Sequence, residues 1–140
     1  MRNFARPLEF AWNADRESEE TFMSIHAGSC HCGAVKFEAD VDLSAPVMSC
    51  NCSHCSRKGF LLSFIPAAAF TLETPDAPLT EYRFNREHIA HLFCPRCGVE
   101  AFARGKHPAT GQDVVAVNVR CMPGVDLDAL SIKKVDGASL

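Results

Sequence analysis

Three cysteine clusters hold most of the reactive chemistry in this sequence: Cys30-His31-Cys32, Cys50-Asn51-Cys52-Ser53-His54-Cys55 and Cys94-Pro95-Arg96-Cys97-Gly98. Thiolates are soft metal ligands, and each cluster has metal-ligand spacing. In an extended segment residues i and i+2 face one side, so Cys30 and Cys32 aim both sulfurs at one point. In the third cluster Pro95 fixes a turn and Gly98 allows positive φ, which lets backbone N–H groups point at the sulfurs and favour them as anions. A structural zinc takes four ligands in a tetrahedron, and the doublets Cys30/Cys32 and Cys94/Cys97 together offer four. The triplet Cys50, Cys52 and Cys55 then stands alone. Zinc on three protein ligands keeps a position open for water or substrate, which makes the triplet the candidate catalytic centre. Counting also permits a doublet to share a metal with part of the triplet, or Cys121 or a histidine to complete the triplet as a second closed staple.

The remaining reactive residues divide by context. His54 lies inside the triplet and is a candidate catalytic residue, to orient a ligand or shuttle a proton, although the middle of a C-x-x-C turn commonly points away from the metal. His31 is expected in solvent, and His88, His91 and His107 are expected to be ordinary strand and loop residues. Cys121 follows an apolar strand and is expected in the core. Arg57 and Lys58, next to Cys55, raise the local affinity for anions, although solvated charge is the default for such a pair.

The clusters need a scaffold that brings them together. Val35-Lys36-Phe37-Glu38 alternates apolar and polar, as a half-buried strand does. Further strand-like runs are 61–65, 69–72, 79–84, 88–93, 99–103 and 114–119, separated by Pro, Gly, Asn or Asp. Residues 125–130, with Asp126 and Asp128 early, read as a short C-terminal helix or turn. The expected fold is one mostly β domain over residues 23–140. Residues 1–22, with mixed charge and neither Gly nor Cys, look like an appended N-terminal extension.

Composition narrows the function classes. With 47% hydrophobic and 22% charged residues the chain is of ordinary globular type. No run approaches the roughly 20 apolar residues of a membrane span, and the first twenty residues contain no signal-peptide core. Eight cysteines in 140 residues then fit a metal protein of the reducing cytoplasm better than a disulfide framework. The net charge of −3, with basic residues scattered, argues against a nucleic-acid partner.

The segments Gly28-Ser29-Cys30-His31-Cys32-Gly33-Ala34-Val35, the C-x-C-x-x-C triplet, Phe93-Cys94-Pro95-Arg96-Cys97-Gly98 and Val117-Asn118-Val119-Arg120-Cys121 together carry a resemblance. The chain resembles the glutathione-dependent formaldehyde-activating enzymes, also called S-(hydroxymethyl)glutathione synthases and grouped with centromere protein V, from about Gly28 to Gly137. The resemblance implies several small antiparallel sheets gathered around two zinc ions. Cys30, Cys32, Cys94 and Cys97 would hold the structural ion, and Cys50, Cys52 and Cys55 the catalytic one. It also implies a carbon-sulfur lyase that adds glutathione to formaldehyde or a related small electrophile. For glutathione's carboxylates the sequence offers Arg57, beside the triplet, and also Lys58, Arg96, Arg104 and Arg120. Two other readings compete. One is a zinc-stapled binding module without turnover. The other is a relative of type-B methionine sulfoxide reductases with Cys121 as redox thiol, although the two C-x-x-C zinc pairs usual there are missing.

Overall fold

A strand with one wet face alternates polar and apolar residues, and Lys36–Val41 does so, burying Phe37, Ala39 and Val41. In the computed structural model, which describes residues 24–84 and 89–139, this is strand β2. It lies between β1 (Ser24–Ser29) and β5 (Phe70–Leu72) in a three-stranded antiparallel sheet. A second, seven-stranded sheet runs β10 (Ile132–Val135), β3 (Val47–Cys50), β4 (Leu62–Pro66), β9 (Asp113–Asn118), β8 (Phe102–Lys106), β7 (Ala90–Phe93) and β6 (Thr80–Tyr82). Its pairs are antiparallel except β10 with β3, which run parallel and set Val135 opposite Cys50. The mostly β class expected from the sequence is what the chain adopts. The appended segment 1–22 and His88 lie outside the described residues.

Strand β9 is buried on both faces, which is why Val114-Val115-Ala116-Val117 reads as an unbroken apolar run. Val115 and Val117 face the main core, where Phe37 stacks on Phe70 at 5.4 Å between ring centroids and Phe70 meets Phe102 at 4.7 Å. Ala116 faces the other side and joins Ala103, Leu62, Phe60 and Cys55 in a smaller cluster. Small residues there let helix α1 (Ser53–Lys58) settle next to the sheet. This helix is capped at its N-terminus by Cys52, whose sulfur accepts from Cys55 N–H at 3.3 Å, and it ends at Gly59 in the left-handed region. Residues 127–129 form one 3₁₀ turn, capped by the Asp126 side chain. No helix among the described residues is long and apolar enough to cross a membrane.

Candidate metal centres and the cavity beside them

The first cysteine group is assembled from two tight turns. Cys30 and Cys32 sit in the connection from β1 to β2, and Cys94 and Cys97 in the turn after β7. Gly98, at φ 80°, turns the chain so that its N–H reaches Cys94 O at 2.7 Å. The Sγ atoms of Cys30 and Cys32 are 3.7 Å apart, and those of Cys32 and Cys94 3.6 Å. A tetrahedron of sulfurs about 2.3 Å from zinc requires sulfur separations of about 3.8 Å, so the donor set fits that ion. Val35 N–H donates to Cys30 Sγ at 3.3 Å and Arg96 N–H to Cys94 Sγ at 3.4 Å. Backbone N–H groups of Val99 and Cys32 lower the Cys97 thiol to about 6. The turn after β7 therefore favours thiolates at Cys94 and Cys97, whereas Cys32 in the other turn is raised to about 11.

The second group is built around the N-terminus of α1. Cys50 ends β3, Cys52 caps the helix and Cys55 lies buried in its first turn. Their three sulfurs lie within 4.8 Å of one another, and no fourth Cys, His, Asp or Glu among the described residues joins them. Burial pushes the Cys50 and Cys55 thiols up. For Cys52 burial acts in the same sense but is outweighed by N–H groups of Cys55 and His54, which lower it. Three thiolates so close and so poorly hydrated need a cation, and a divalent thiophilic ion suits the set.

Beside this triplet lies a cavity of about 480 Å³, the size of a small-molecule site. Cys50 and Cys55 open onto it, Phe60 and Leu61 give it an apolar wall, and Arg120 and Lys134 bring positive charge. Arg120 is anchored through Nε, which donates to Gly59 O at 2.8 Å. Next to Lys134 the lining continues through Val135 and Asp136 into the segment after β10, which is tied to Asn51. Asn51 Nδ2 donates to Asp136 Oδ1 at 3.0 Å, and Ala138 N–H to Asn51 Oδ1 at 2.9 Å.

The model of the glutathione-dependent formaldehyde-activating enzyme family matches residues 25–129, three quarters of the 140. The chain belongs to that family. A solved structure of a Rhodobacter sphaeroides protein is 26% identical, with a TM-score of 0.65 over 76% of this chain and 99% of that one. Formaldehyde-activating enzymes as a family work on glutathione and formaldehyde, and in this member the cysteines expected to act together do lie in two groups able to hold metal ions.

Other candidate residues of this family member stand as follows. Arg57 turns back on its own helix, Nη1 donating to Ser53 O at 2.8 Å, and does not line the cavity. Lys58 lies 3.4 Å from Glu100 Oε1, Arg96 is exposed, and Arg104 sits over the rings of Phe70 and Phe102. Lys134 had only its place in a Lys-Lys pair to mark it. Cys121 ends a 3₁₀ turn against the main core, where burial raises its thiol to about 11. That is the wrong direction for a redox nucleophile. His31 is exposed, whereas His107 is buried and accepts from Ala109 N–H. His54 is half-buried and stacks on Tyr82 and Phe84, and His91 is buried against Glu100.

Proposed function

We propose that the cavity beside Cys50, Cys52 and Cys55 is where glutathione, or a closely similar carboxylate-bearing thiol, adds to formaldehyde or a related small electrophile. The observation that carries this is the contrast between the two cysteine groups. Four sulfurs gather at one, at separations that suit a tetrahedron, while the other has only three, and two of these, Cys50 and Cys55, open onto a cavity whose lining includes Arg120 and Lys134 beside Asp136. One zinc ion on Cys30, Cys32, Cys94 and Cys97 would be structural, and one on Cys50, Cys52 and Cys55 catalytic. Zinc in the second place supplies Lewis acidity, which favours the thiolate of an entering thiol or polarises an aldehyde oxygen. In the reaction a C–S bond forms at the carbonyl carbon, and the proton lost by the thiol ends on the carbonyl oxygen.

The protein's own residues position the reactants. Arg120, held by Gly59 O, presents a fixed guanidinium to one carboxylate of the thiol, and Lys134 offers an ammonium to the other. Phe60 and Leu61 restrict water on the apolar side. The Asn51-held segment narrows the entrance. Reduced thiolates of this kind belong in the cytoplasm.

The test compares thiols, measuring only the rate above the uncatalysed addition. Wild-type protein should favour glutathione over 2-mercaptoethanol in kcat/KM, and Arg120→Ala should erase about 10-fold or more of that preference, chiefly through KM, by removing a charge-assisted pair. Equal loss with both thiols would defeat the assignment of Arg120, and no enzyme-dependent rate with any thiol would defeat the proposed reaction.

A further inference from the structure

His54, His91 and Glu100 form a third group outside the cysteine sites, with ligand-type atoms within 4.8 Å of one another. They converge from α1, from β7 and from the segment just before β8. His91 and Glu100 are each 4% exposed. An ionised carboxylate at such depth requires compensation. Part of it is visible: His91 Nδ1 lies 2.8 Å from Glu100 Oε2, and Lys58 Nζ lies 3.4 Å from Glu100 Oε1. His54 is different. Its Nδ1 is buried without a hydrogen-bond partner, although its ring centroid is only 4.0 Å from that of His91. A buried polar atom left in this way destabilises the fold unless something binds it. Phe60, Tyr82 and Phe84 pack around the two imidazoles and limit water as that partner.

We propose that His54, His91 and Glu100 are a third metal site, taking a divalent first-row transition ion on two imidazoles and one carboxylate. The donor set is of the nitrogen and oxygen type preferred by zinc, iron, cobalt and nickel, unlike the all-sulfur groups. Without an ion, His91 Nδ1 and Glu100 Oε2 pair with each other at 2.8 Å, and an ion bound between them takes the place of that contact. Three protein ligands leave further positions open. Lys58 beside Glu100 opposes a cation, so this site fills after the thiolate groups. His54 and Cys55 are adjacent on α1, about 100° apart around the helix, which lets one turn serve two separate centres. The site stands whether or not the proposed thiol addition is right.

Cobalt(II) titration of the full, metal-free chain under reducing, oxygen-free conditions tests it. Sulfur-to-cobalt charge-transfer absorption should grow and level off as the cysteine groups fill. One further equivalent per chain should then bind, measured by equilibrium dialysis, without adding to that absorption. Glu100→Gln and His91→Gln should each lose that last equivalent and keep the charge-transfer plateau, which also reports that the variant is folded. A wild-type chain that binds no cobalt beyond the plateau overturns the site, and does so even if a variant unfolds. Retention of the extra equivalent by both folded variants overturns it as well.

Discussion

Gly137 is the residue whose replacement most directly probes how the triplet is enclosed. A Cβ built there would stand 2.4 Å from Cys50 Sγ and 3.4 Å from Cys52 Cβ. Ordinary contacts between such atoms are about 3.5–4.0 Å, so Gly137→Ala demands relief of more than about 1 Å. Gly137 is not among the glycines with positive φ, so the obstacle is the sulfur and not the backbone. Its N–H also donates to Cys50 Sγ. Two responses exist: Cys50 shifts, or the segment lifts and breaks its bonds to Asn51. Overpacking of this kind costs about 1–3 kcal/mol, which is a factor of about 5 to 150 in an equilibrium constant. Because only the triplet is touched, that factor should appear in the zinc affinity of the triplet and leave that of the four-cysteine group unchanged. Competition with a chromophoric chelator reads the two ions separately. If Gly137→Ala holds both ions with wild-type affinity, the close approach of this segment to Cys50 is wrong. If both weaken equally, the effect is general destabilisation and the two groups are not independent.

Four further outcomes follow from the division of labour among the cysteines. Cys50→Ser should abolish enzyme-dependent thiol addition while leaving the melting temperature within a few degrees of wild type, whereas Cys94→Ser should lower it by about 10 °C or more, as thermal unfolding will show. Similar losses of stability in both variants would make both groups structural. Cys121→Ser should retain activity, and Cys121 in the native protein should resist alkylation at pH 7, because burial holds its thiol near 11 and almost wholly protonated. Rapid labelling of Cys121, followed by mass spectrometry, would contradict that.

Strand signals survived into the structure where strands were long and well packed: the alternation of Lys36–Val41, wet on one face, and the unbroken apolar run within Asp113–Asn118, buried on both. The doublets were legible because C-x-C and C-x-x-C geometry is local. Helix α1 was not, since a cysteine cap is unusual and Cys52 reads first as a ligand. Val47–Cys50 and Ile132–Val135 were also missed: each has four residues, and their parallel pairing leaves no turn between them to find. That pairing is what carries Lys134 to the cavity, so its role could not be read from neighbouring residues. Arg57 looked well placed by sequence, but a helical side chain four residues along folds onto the preceding turn, and it bonds Ser53 O. His91 and Glu100 did leave a trace, as a titratable residue in each of two apolar runs. Only cross-strand geometry makes them one group.

The hydrogen bond from Asn51 to Asp136 joins residues 85 apart in the chain. A ribosome adding about 5–20 residues per second needs on the order of ten seconds to make that stretch. During that interval the nascent polypeptide exposes Cys50, Cys52 and Cys55 uncovered, open to oxidants and to whichever thiophilic ion arrives first. If the triplet takes its proposed ion, the late segment sets a schedule for metal capture, and synthesis speed becomes a variable in how faithfully the centre is filled.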